Sequence, residues 1–150
     1  MSVRTRILCI DYGTVRIGLA LSDPDRKIAF PLATYERRTK EKDAVFFRDT
    51  IEKEEVGQVV VGLPIHLDGR ESEKSREARE FADWLRETTG LPIAFADERF
   101  SSVQAESALW TAGLTHKRRK DRRDRVAAQM VLQTFLDAGC PEFVERDALS

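Results

Sequence analysis

The sequence predicts an α/β fold: a mixed five-stranded sheet in which an antiparallel meander runs on into parallel strands, with helices on both faces. Three observations carry this. Short apolar runs at 7–11, 17–22 and 28–35 follow one another too closely for crossover connections, as a meander requires. Two further apolar runs, 59–63 and 93–96, each follow a segment of helical periodicity, the pattern of β-α-β crossovers, which are right-handed and put helices on the sheet faces. At 150 residues the chain suits one domain with a proper core. We expect a single domain over 1–150, with an ordered core from about residue 6 to 138 and a loosely ordered tail at 140–150.

Taken in order, Ile7–Asp11 and Ile17–Ser22 are strands joined by a tight turn containing Gly13, and Ile28–Tyr35 is a third whose Pro31 favours an edge position. Ala44, Phe47 and Ile51 recur at helical spacing, which predicts a helix from Glu41 to Val56 stopped by Gly57. Val59–Leu63 is a buried strand, and 64–72, PIHLDGRES, is a loop of turn formers. Ala78, Phe81, Ala82 and Leu85 mark one face of a second helix ended by Gly90, and Ile93–Ala96 is the last strand. Ser101 with Gln104 three residues on forms a capping box that opens a third helix, closed by Gly113. A basic loop follows, and a final helix from about Arg123 to Asp137 carries Ala127, Met130, Val131 and Phe135 on one side, with Gly139 at its C′ position.

Charged residues at 34% and hydrophobic residues at 41% suit a soluble protein, and no apolar run approaches the roughly 20 residues that span a bilayer. The opening MSVRTR leads straight into a strand without the apolar segment of a signal peptide, so we expect a cytoplasmic protein with no membrane role. Cys9 and Cys140 have neither framework nor metal spacing and read as thiols. His66 and His116 lack a second ligand at zinc spacing. Net charge is only −1, but Lys117, Arg118, Arg119, Lys120, Arg122, Arg123 and Arg125 crowd into nine positions.

Three acidic positions call for a reason. Asp11 ends the first strand, Asp97 and Glu98 end the last, and Asp124 opens the final helix. In a mainly parallel sheet the strand C-termini share the edge where ligands bind, so all three can converge there. Carboxylates about 4 Å apart repel by roughly 4 kcal/mol per pair at an effective dielectric near 20, so the cluster needs protons or a cation. Oxygen-only ligation with open positions suits Mg²⁺ or Mn²⁺, and two such ions can activate water against a phosphodiester. Each acid also has an ordinary reading. Asp11 can cap its turn, Asp97 and Glu98 can pair with Arg99, and Asp124 suits a helix N-terminus.

The stretches IDYGTVRIGLALSD, VVVGLPIHLDG, ADERFSS with QAE after it, and RDRVAAQMVLQTFL resemble the four signature blocks of the YqgF/RuvX family, relatives of Holliday-junction resolvases, in family order from residue 7 to 136. The resemblance implies a ribonuclease H-like fold, a metal-dependent nuclease activity using Mg²⁺ or Mn²⁺, and 5′-end processing of precursor 16S rRNA in ribosome biogenesis. It makes Asp11, Glu98 and Asp124 the catalytic and metal-binding acids, with Asp97 the substitute for Glu98. Asp121, three residues before Asp124, points the same way if the helix begins early enough and is then at best a supporting ligand; otherwise it belongs to the loop. A typical resolvase relative has its second carboxylate at the end of the strand beside the first. Here that strand ends Gly62-Leu63-Pro64, which leaves the role to Glu98 on the next strand out.

The substrate contacts expected are Lys117, Arg118, Arg119, Lys120, Arg122 and Arg123, since Lys and Arg contacts to the backbone position nucleic acid without reading sequence. Arg16 and Arg99 can clamp a phosphate or pair with the carboxylates, and the loop carrying Asp68 and Gly69 either closes over the strand ends or is a plain turn. Structured RNA, with the assembling small ribosomal subunit as a partner, is the first expectation. Branched DNA is the second, and would favour a homodimer over a monomer. A non-catalytic ribosome-assembly binder is the third. DYGTVRIG also resembles the phosphate loop of actin-like kinases, but those need a second lobe for which 150 residues leave no room.

Overall fold

The computed structural model describes residues 5–63, 73–97 and 116–141, and their side chains apart from that of Asp97 and those of 116–123. Eight elements follow in the order β1 (Arg6–Asp11), β2 (Arg16–Ser22), β3 (Ala29–Glu36), α1 (Lys40–Lys53), β4 (Val56–Leu63), α2 (Glu73–Thr89), β5 (Ile93–Asp97) and α3 (His116–Asp137). The sheet order is β3-β2-β1-β4-β5. β2 is antiparallel to β1 and β3, whereas β4 lies parallel to β1 and β5 to β4. Pro31 sits on the edge strand β3, the position that tolerates proline in a sheet.

Two apolar layers sandwich the sheet, because successive strand residues point to opposite faces. Leu8, Ile10, Ile17, Leu19, Val59, Val61 and Leu63 pack with Phe47 and Ile51 of α1 and Phe81, Ala82 and Leu85 of α2. Ile7, Cys9, Ala20 and Val60 pack with Ala128, Val131, Leu132, Phe135 and Leu136 of α3 on the other face. Helix α3 also grips the edge strand, since Gln133 accepts from Ala29 N at 2.9 Å and Gln129 donates to Ala29 O at 3.2 Å. Its end is a Schellman motif: Cys140 N donates to Phe135 O, Gly139 N donates to Leu136 O, and Gly139 takes φ 85°. Neither cysteine forms a disulfide.

Three boundaries differ from the sequence expectation. Helix α1, capped by Thr39, ends at Lys53 rather than Val56. Glu55 turns the chain with φ 55°, and Val56, fully buried, pairs with Arg6 as the start of β4. The basic run expected as a loop forms the first two turns of α3, which starts at His116 instead of Arg123. Lys and Arg are good helix formers and the segment holds neither Gly nor Pro to stop it. The predicted loop 64–72, the third helix from Ser101 and the tail beyond 141 lie outside the described residues. Among those described, no helix is long and apolar enough to cross a membrane.

Candidate active site

Asp11 is the last residue of β1 and is half-buried. Its cross-strand partners are Gly18 on β2 and Gly62 on β4, and Gly62 is paired in turn with Ala96 on β5. Paired residues face the same side, and Cys9, Ala20, Val60 and Ala96 place that side beneath α3. One carboxylate therefore stands in a row of small residues, Gly-Asp-Gly-Ala. As expected, the strand beside Asp11 supplies no second acid, because Gly62 occupies that position.

Helix α3 brings the second acid. A Cβ at Gly18 would overlap the carbonyl oxygen of Asp124, so the missing side chain lets the helix backbone lie directly on β2, one strand from Asp11. Arg16, at the start of β2, pairs with Asp124, Nε to Oδ2 at 3.3 Å, with side chains 21% and 23% exposed. Residues 11, 16 and 124, remote in the chain, are thus gathered at one end of the sheet by one glycine. Among the described residues, two carboxylates and one guanidinium meet here, and carboxylate oxygens are hard-cation donors.

Glu98 and Arg99 lie outside the described residues, as do His66, Asp68 and Gly69. Asp97 ends β5 opposite Leu63, one step past the row that holds Asp11. Among the described residues no group of three acidic, histidine or cysteine ligands converges. Lys117, Arg118, Arg119, Lys120, Arg122 and Arg123 belong to α3, and Asp121 falls in the same helix three residues before Asp124. Sequence reasoning missed Gly18. The signal was present, since an isolated Gly in a strand marks close approach by another backbone.

This fold is that of the ribonuclease H-like junction resolvases. It superposes on Thermus thermophilus RuvC in complex with a Holliday junction with a TM-score of 0.56 at 14% identity, covering 92% of this chain and 98% of that one. The fowlpox virus resolvase bound to Holliday junction DNA gives 0.54 at 11% identity, covering 91% and 99%. The chain belongs to the RuvX family, described as Holliday junction resolvase, which matches residues 5–138. Relatives from Rhodopirellula baltica (51% identical, 89% of this chain and 77% of the relative) and Maridesulfovibrio salexigens (46% identical, 87% and 97%) carry the name "Putative pre-16S rRNA nuclease".

Proposed function

We propose that this protein is a divalent-metal-dependent nuclease that hydrolyses phosphodiester bonds in structured RNA, with the 5′ end of precursor 16S rRNA as its substrate in the cytoplasm. The observation that carries this is the seating of Asp124 on Gly18, beside the strand that ends in Asp11. The names of relatives at 46–51% identity supply the substrate. Asp11, Asp124 and Glu98 would hold Mg²⁺ or Mn²⁺, and their all-oxygen donor set fits either ion. Glu98 is preferred to Asp97 because it holds the acidic position of the DER block that resembles the family's third signature. When bound, such ions supply an activated water and charge stabilisation for an in-line displacement. The chain's own groups do the rest. Arg16 offsets the charge of Asp124 and would offer donors to a phosphate, while the small residues Gly62 and Ala96 on the β4 side of Asp11 would admit the backbone of the substrate.

The test is cleavage of a precursor 16S transcript in Mg²⁺ or Mn²⁺. Asp11→Asn and Asp124→Asn should keep the circular-dichroism spectrum and each lose more than a hundredfold in rate, a loss of about 3 kcal/mol of transition-state stabilisation. Full activity in Asp11→Asn removes the proposed chemistry. The family's description favours a second reading, cleavage of four-way DNA junctions. That reading requires a two-fold dimer presenting two sites. A side-by-side assay with sedimentation separates them: RNA cleavage by a monomer supports the first, junction cleavage by a dimer the second.

A further inference from the structure

A second concave site lies at the same end of the sheet on its other face. Tyr12 follows Asp11 directly but packs in the α1/α2 layer, where with Arg37, Lys40, Glu77, Glu80, Phe81 and Trp84 it lines a pocket of about 190 Å³. The floor is aromatic, buried at Tyr12 and Phe81 and half-buried at Trp84: Tyr12 and Phe81 have ring centroids 5.2 Å apart, and Phe81 and Trp84 5.6 Å. Arg37 lies over it. Its guanidinium lies 5.5 Å from the Tyr12 centroid and 5.3 Å from that of Phe81, its Nη1 donates to Tyr12 Oη at 3.2 Å, and its Nε is 3.4 Å from the buried Asp43 carboxylate. Glu77, Glu80, Phe81 and Trp84 form one stripe of α2 at spacings of three and four.

We propose that this pocket is a guanine subsite for a nucleotide of the substrate close to the scissile phosphate, an inference that rests on the RNA-nuclease reading. Proteins that read single-stranded RNA stack bases on aromatic rings or on Arg planes and hydrogen-bond their edges, and with Arg37 over Tyr12 and Phe81 it is half-buried Trp84 and Arg37 itself that can take a base here. The volume is below the roughly 300–1,000 Å³ of sites for whole small molecules, so it takes one ring system and leaves sugar and phosphate outside. Charge argues against a phosphate inside, because the carboxylates of Glu77 and Glu80 match the two cations. Two acceptor-only groups call for a base edge rich in donors. Guanine alone offers two adjacent donors, N1–H and the N2 amino group, on its pairing edge, with O6 beside them for Lys40. Since Asp11 and Tyr12 are consecutive, their Cα atoms are about 3.8 Å apart, so a base seated by Tyr12 belongs to a nucleotide near the one at Asp11.

The test uses the full chain with Trp110→Phe, which leaves Trp84 as the single tryptophan of the two in the sequence. GMP should quench its fluorescence at roughly tenfold lower concentration than AMP, CMP or UMP, as a bidentate base contact provides. Glu77→Gln with Glu80→Gln should abolish that preference, and Asp11→Asn should leave it intact. Equal quenching by all four nucleotides, an unchanged preference in the double variant, or quenching by free arginine in place of GMP overturns the subsite, the last in favour of a basic peptide ligand. Wild-type cleavage of RNA without guanine preference sinks the subsite and spares the nuclease. Guanine preference without any cleavage does the reverse.

Discussion

Position 18 shows what one absent side chain can organise. The Asp124 carbonyl occupies the space a Cβ would need, so Gly18→Ala must push α3 away from β2. Overpacking of this kind costs about 1–3 kcal/mol, read as a lower urea midpoint with unchanged slope. Cleavage should fall further than the fraction of folded protein does, because the displaced helix carries Asp124. Arg16 makes a separate prediction. Its guanidinium beside Asp124 repels a second cation, so Arg16→Gln should bind Mn²⁺ severalfold more tightly by calorimetry and RNA more weakly by anisotropy, a partly exposed pair being worth up to about 1 kcal/mol. Looser Mn²⁺ binding in that variant would show that Arg16 orders the acids instead of opposing the metal. The glycine was legible as an oddity within an apolar strand. Its partner was not, because a close approach between residues 106 apart leaves no trace in local pattern.

Between β3 and α1 an acid does structural work that the sequence disguises. Asp43 is 1% exposed and accepts from Tyr35 Oη at 2.6 Å and Arg38 N at 2.9 Å, with Arg37 Nε at 3.4 Å. Burial, then the bond to Asp43, pushes the Tyr35 phenol up to about 12. In the unfolded chain it titrates near 10. Between those values the unfolded state has released its proton and the native state has not, so stability contributed by Tyr35 is present below pH 10 and is lost as pH rises towards 12. Phenolate absorbance should show one of the two tyrosines titrating late, and Asp43→Asn should bring that midpoint down while costing about 2 kcal/mol in thermal unfolding. Nothing in the periodicity of 41–53 separates this acid from its solvated neighbours, since a buried carboxylate and a surface one read alike in one dimension. The same blindness misplaced two helix boundaries. Val56 continued the apolar spacing of α1 but was taken by its pairing with Arg6, and the basic run lacked an apolar face although its residues favour helix. The other strands, by contrast, were legible to within a residue at each end, because short apolar runs bounded by turn formers mark them, whereas β4 begins three residues before the expected Val59.

At the scale of the whole molecule, a chain of net charge −1 places its densest cationic segment at the start of the helix that delivers Asp124. That placement works against helix stability. The N-terminus of a helix carries partial positive charge, the first turn of α3 contains no acid, and Lys117, Arg118, Arg119 and Lys120 follow one another there. On the proposed reading, the phosphates of a nucleic acid would offset that cost on binding. Each phosphate neutralised releases counterion, which contributes about 0.7 to the slope of log affinity against log salt for a single strand and about 0.9 for a duplex. Reversing two charges, Arg119→Glu with Arg123→Glu, should therefore flatten that slope by about 1.5 to 2 and weaken binding uniformly across RNA sequences. The same variant should keep its melting temperature or raise it slightly, because acids near a helix N-terminus favour the macrodipole. Weaker binding with an unaltered slope would mean that the run acts by holding α3 in place, whereas a flatter slope in a protein of undiminished stability assigns it to the substrate.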